Sequence, residues 1–89
     1  MTLDKTFTAT IVKDTVTTGW TVVIWPESVA FLGTRNTVKV AGTIDGHGFQ
    51  ATFMPSGEGT HMLPLKAALR KTLKKDVGDT VEVHLTGRQ

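Results

Sequence analysis

The chain has no cysteine, which removes disulfide frameworks, thiol nucleophiles and Cys-ligated zinc or iron–sulfur sites from consideration. No apolar run approaches membrane-spanning length, and the opening MTLDKTFTAT lacks the apolar stretch of a signal peptide. A cytoplasmic, untargeted domain is the expectation. Serine is scarce. Ser28 and Ser56 are the only two, neither sits in a nucleophile elbow, and both read as helix-start or turn residues. His47, His61 and His84 hold no i,i+4 spacing, so nothing in the sequence drives them together around a metal. The carboxylates are scattered, most of them beside turns. The expectation is a non-enzyme with no cofactor and no metal. Linkers, low-complexity tracts and internal repeats are absent as well.

What is present is one small domain. Eighty-nine residues suffice for a single unit spanning 1–89, one that buries about 60–65% of its unfolded-chain surface and has modest stability unless an oligomer completes it. Hydrophobic residues at 39% and charged residues at 20% are too apolar a mixture for disorder. The net charge is only +2, but half of the ten Lys and Arg fall between Lys66 and Lys75. A patch of that kind either meets phosphates or serves as a solvated helix face.

Short strands dominate the reading. Phe7, Ala9 and Ile11 alternate with threonines, and Trp20 to Trp25 carries apolar residues on both faces, as a central or covered strand does. Trp20 and Trp25 read as core or interface residues. Asp14 to Gly19 reads as the turn between those strands. After Pro26, Glu27 to Leu32 reads as a short helix stopped by Gly33. Val38, Val40 and Ile44 lead into the hairpin turn Asp45-Gly46, and Phe49, Ala51 and Phe53 return. Gly42 inside a strand predicts a bulge or a close backbone approach. About six strands separated by turns predict an all-β, small closed barrel rather than an open sheet.

The stretch Pro55 to Leu85 organises the rest: a Gly-rich turn, a short strand, a basic helix over about 65–75, a Gly turn and a last strand. Pro64 is placed at the helix start. Leu65, Ala68, Leu69 and Leu73 form one apolar stripe, which lets the helix cap an end of the barrel. Lys66, Arg70, Lys71, Lys74 and Lys75 form the other face with no acid to offset them within the helix, leaving like-charged pairs at i,i+4. Gly78 supplies a turn, and Val81, Val83 and Leu85 alternate as the final strand. Thr86 to Gln89 are expected to fray.

The order strand, Leu-Pro, short helix with an Arg, then Gly-Asp-x-Val-x-Val resembles AbrB-type and related small β-barrels. A nearer resemblance is to an uncharacterised bacterial family, the domain of unknown function numbered nineteen hundred and five. It is carried by GTIDG (Gly42 to Gly46), MPSGEGTHMLPLK (Met54 to Lys66), Arg70 and GDTVEV (Gly78 to Val83). The nearer resemblance implies a small barrel closed by a helix and no established activity. The AbrB-type resemblance implies a dimer presenting basic residues to DNA, although this chain is about twice as long and has strands enough to close alone.

The candidate site follows from the loop and the helix. Gly57, Gly59, Thr60, His61, Lys66 and Arg70 would cradle an anion through backbone N–H groups, the helix dipole and two cations. The loop also reads as a plain tight turn, since no Gly-Lys-Ser/Thr follows and Glu58 repels phosphate. Arg35 and Lys39 extend the basic surface. The leading expectation is a binding module for an anionic small molecule or an acidic protein, as a monomer or homodimer. An AbrB-like DNA-binding regulator and a protein-interaction scaffold are the alternatives.

Overall fold

The computed structural model describes residues 2–15, 19–56 and 59–88. Seven strands and two short helices follow one another: β1 (Thr2–Thr10), β2 (Val12–Lys13), β3 (Thr21–Trp25), α1 (Ser28–Leu32), β4 (Val38–Ile44), β5 (His47–Pro55), β6 (His61–Pro64), α2 (Ala67–Leu73) and β7 (Thr80–Arg88). All pairings are antiparallel, in the order β1-β7-β4-β5-β6-β3-β2. The two edges of that order, β1 and β2, are consecutive in the chain with only Ile11 between them. One bent strand therefore serves both ends, and the sheet curls into a mainly-β half-barrel.

The seventh strand, beyond the six expected, comes from this bend. Ile11 is fully buried; its N–H donates to the Asp79 carbonyl at 2.8 Å, and its own carbonyl accepts from Gly78 at 2.9 Å. The turn at Gly78 (φ +97°) thus holds the kink in place. Between β4 and β5, Asp45 (φ 50°) and Gly46 (φ 84°) make the expected two-residue turn. The glycine inside β4 also fits its expectation. The β4–β7 register shifts between Ala41 and Gly42, and a Cβ on Gly42 would lie 2.0 Å from the His84 carbonyl oxygen. Only glycine lets the two backbones come that close at the bulge.

Inward-facing residues of both halves of the sheet form one core. Trp25, buried, stacks on Phe7 with ring centroids 4.5 Å apart and planes 6° from parallel, and its ring also meets Phe53 at 5.8 Å. β3 lies between β6 and β2, as its two apolar faces suggest. Trp20, by contrast, is 45% exposed.

Two boundaries differ from the sequence reading. Pro64 ends β6 opposite Val22 instead of opening the helix, and the Leu65 N–H continues the ladder to the Thr21 carbonyl at 2.9 Å. Lys66 is still extended (φ −66°, ψ 152°), so α2 runs only from Ala67 to Leu73 and stops at Lys74 in the left-handed region. Leu65 is buried all the same, as a continuation of the β6–β3 ladder and not as part of a helical stripe. At the other end, Thr86 to Arg88 are not frayed. They pair with β1 and β4, and Arg88 donates to the Leu32 carbonyl at 2.7 Å; Gln89 lies outside the described residues. Among the described residues, no helix is long and apolar enough to cross a membrane.

Candidate functional site

Pro64 stands where β5 and β6 part and borders two clefts. β5 and β6 pair only at Met54–Met62 and Pro55–His61. In that register Phe53 would come opposite Leu63, and the next hydrogen-bonded rung would join Thr52 to Pro64. Leu65 spends its N–H on β3, so the alternating backbone turns Pro64 toward β5, where proline has no N–H to give. The ladder stops, the strands diverge, and the chain crosses into α2. Two clefts flank this corner. One, of about 700 Å³, lies between β5 and α2, with Phe49, Ala51 and Leu69 among its apolar walls and Lys39 at its rim. The other, of about 760 Å³, is bordered by Lys13, Thr21, Arg70 and Asp76. Trp20, Pro64 and Lys66 line both.

The cations around the corner are not equivalent. Arg70 donates through Nε to the Leu65 carbonyl at 3.2 Å and through Nη1 to Asp76 at 3.0 Å. Asp76 also accepts the Val77 N–H at 2.8 Å, and that bond, with the Arg70 guanidinium second, holds its carboxyl below the ordinary 3.8. Lys75 reaches the Asp45 carboxylate at 2.6 Å and the Thr80 carbonyl at 2.6 Å. Thus two of the cations that no acid offsets within the helix find acids outside it, Arg70 at Asp76 and Lys75 at Asp45. The side-chain ammonium groups of Lys13, Lys39 and Lys66 form no hydrogen bond or ion pair with any described residue. Three uncommitted ammonium groups therefore surround the two clefts.

The residues singled out in the sequence do not all converge. Gly57 lies outside the described residues, as does Glu58. Gly59 takes a turn conformation at φ +79°, and Thr60 closes the turn through its carbonyl, which accepts the Ser56 N–H at 3.1 Å, and through a hydroxyl–hydroxyl bond to Ser56. Lys66 and Arg70 meet at the second cleft. His61 does not join them. It faces the interior and is fully buried, because alternation along β6 sends His61 and Leu63 inward.

Inside, His61 forms a polar bridge. Its Nε2 lies 2.8 Å from the Asn36 carbonyl, which can only accept, so Nε2 carries the proton. Its Nδ1 then accepts the Ser28 hydroxyl at 2.7 Å. Ser28 is also fully buried, and the arrangement ties β6 to α1 and to the 34–37 loop. A serine and a histidine in contact are a familiar nucleophile pair, but here neither borders either cleft. His84 bonds Asp4 at 2.8 Å on the opposite side of the sheet, and His47 is exposed beside the hairpin turn. Among the described residues, no three His, Asp or Glu side chains gather as metal ligands do.

Sequence reasoning missed Lys13 and the exposure of Trp20. Lys13 alternates outward after Val12, but only the folded register brings it beside α2. The Ser28–His61 bond was likewise out of reach, since 33 residues separate the partners.

The fold and the clefts define a small β-rich single domain with a cationic corner between a strand and a helix. Residues 7–85 match the model of the family described as Domain of unknown function (DUF1905), and the chain belongs to that family. A search of the curated proteins finds no match.

Proposed function

We propose that this domain is a non-enzymatic binding module whose cationic corner takes an anionic small molecule or an acidic segment of a partner protein. The observation that carries this reading is Lys66, which lines both clefts and has no acidic partner among the described residues. Lys39 stands on one side of it, Lys13 and Arg70 on the other. Apolar walls with a few convergent charges are the usual composition of a ligand site, and both clefts fall in the roughly 300–1,000 Å³ range of such sites. In the same reading the half-barrel works as a closed barrel, with β1, Ile11 and β2 acting as one strand and α2 covering an end.

The basic helix supports DNA binding less well. Arg70 and Lys75 are engaged by Asp76 and Asp45, which leaves Lys66, Lys71 and Lys74 on that element. A thermal-shift screen of nucleotides, phosphorylated metabolites, dicarboxylates and short duplex DNA at two salt concentrations separates the readings. Binding at the corner gives stabilisation of several degrees by a small anion or acidic peptide, lost in Lys66→Ala. Stabilisation by DNA alone, falling steeply with salt, overturns it in favour of a regulator.

A further inference from the structure

Backbone direction along β5 adds something the side chains do not show. Asp45 donates its N–H to Glu82 of β7, so at this end of β4 the odd-numbered residues face β7 and the even-numbered ones face β5. The β5 partners of those even-numbered residues are His47, Phe49, Ala51 and Phe53, which therefore face β4. Gly48, Gln50 and Thr52 turn their N–H and C=O groups the other way. Met54 and Ser56 point in that same direction and are covered, Met54 by its β6 partner Met62 and Ser56 by the Thr60 carbonyl. No strand among the described residues covers the other three.

This edge is also undefended. Natural sheets blunt open edges with charge, proline or a covering element, yet Gly48 to Thr52 contains neither a charge nor a proline. A Cβ on Gly48 would meet no atom within 4 Å. The residues that expose their backbone, Gly48, Gln50 and Thr52, all line the cleft facing α2.

We propose that the β5 edge binds an extended acidic peptide from a partner protein by strand addition, the incoming strand lying between β5 and α2. This rests on the reading of the corner as an anion-binding module and names the form its ligand takes. Edge-strand recognition draws affinity from main-chain hydrogen bonds and specificity from alternate side chains. Here one set of peptide side chains faces Phe49, Ala51 and Leu69, and those are apolar. The other set lies on the outer face, where Lys39 is Thr52's cross-strand partner and Lys66 stands at the rim. Among the described residues, Lys39 and Lys66 are the only charged groups lining this cleft, so the second set carries carboxylates. The occupant is thus a strand alternating apolar and acidic residues. From Gly48 to Thr52 it gains about 13 Å of edge.

The probe is an acetylated, amidated peptide alternating Glu and Val over seven residues, titrated into the full chain. Strand addition predicts slowed amide exchange at Gly48, Gln50 and Thr52. It also predicts at least about tenfold weaker binding when alternate peptide nitrogens are methylated. Gln50→Pro removes one edge N–H at a position where an edge strand tolerates proline, and it is expected to weaken the probe to a similar degree. Should that variant not fold, the methylated peptides on the wild-type chain carry the test alone. Equal affinity for plain and methylated peptides, with binding still lost in Lys66→Ala, overturns strand addition and leaves the anion-binding reading standing. No binding of the peptide or of any small anion overturns both. Protection of the same amides without peptide, rising with protein concentration, overturns the partner peptide in favour of a second copy of this chain.

Discussion

The Ser28 hydroxyl donates to Nδ1 of His61 across 2.7 Å in the interior, and the ring's Nε2–H donates to the Asn36 carbonyl at 2.8 Å. These bonds join α1, the 34–37 loop and β6 through a single side chain. Removing the hydroxyl leaves a buried ring nitrogen without a donor, which costs about 1–3 kcal/mol. Ser28→Ala is therefore expected to unfold at lower denaturant with an unchanged slope. His61→Ala should cost more, since it also removes the ring packed edge-on against Phe53. The double variant should cost less than the sum of the two. Urea titrations of the three variants check all of this, and full additivity would mean that the bond contributes nothing.

The close approach of Gly42 to His84 ranks two glycines of β4 and its turn. At Gly42 an added methyl group meets a carbonyl oxygen at 2.0 Å, so β4 and β7 must separate or shift. At Gly46 the methyl meets nothing, and only the positive φ of 84° opposes it. Gly46→Ala is expected to cost about 1 kcal/mol through backbone strain. Gly42→Ala is expected to exceed about 3 kcal/mol, beyond ordinary overpacking, because backbone and not side chain must move. Thermal unfolding of the pair decides it. A smaller loss at Gly42 would show that the bulge yields easily.

Much of this architecture was legible in the sequence because local rules and the fold agree. Alternation named β1, β3, β5 and β7; Asp45-Gly46 named its hairpin; Gly33 named the end of α1; and Gly42 announced its bulge. What escaped the sequence depends on non-local geometry. Pro64 satisfies the preference for a helix start and equally that for a strand end, and the non-local bond from the Leu65 N–H to the Thr21 carbonyl marks the strand end. His61 lies next to the Gly-rich loop in sequence but behind the sheet in space. Asp45 and Asp76 neutralise Lys75 and Arg70 across turns, which no helical spacing rule counts. The candidate site was accordingly half legible: Lys39, Lys66 and Arg70 were found, whereas Lys13 and Trp20 needed the register of β2 and β3.

Acid should loosen the corner between the hairpin turn and α2. The Glu82 N–H on the Asp45 carboxylate at 2.8 Å, then Lys75, hold that carboxyl below the ordinary 3.8. A depressed folded-state value contributes stability that is fully present above the unfolded value and is lost as pH falls through the folded one. Wild type should therefore lose stability steadily below about pH 4. Asp45→Asn should be less stable at neutral pH and flatter in that window. Denaturant midpoints measured across the acid range test the difference, and parallel curves would contradict it. Asp76, fully exposed, shifts in the same direction but adds little because solvent screens its pair with Arg70.

Trp20 and Trp25 offer a built-in readout of the clefts. Trp25 is 2% exposed and stacked on Phe7, so its emission should report folding alone. Trp20 is 45% exposed and borders both clefts, so a ligand in either should change its emission and its access to a soluble quencher. Trp20→Phe should abolish that signal with a stability change within about 0.5 kcal/mol, as for most exposed substitutions. Lys66→Ala should weaken ligands of both clefts, because it borders both. Lys39→Ala should weaken only a ligand held against β5, and Lys13→Ala only one held beside Arg70. If Lys39→Ala and Lys13→Ala reduce the affinity of one acidic probe equally, the two clefts act as one continuous site around Pro64. An effect of Lys39→Ala alone assigns the probe to the β5 side, where the open strand edge lies.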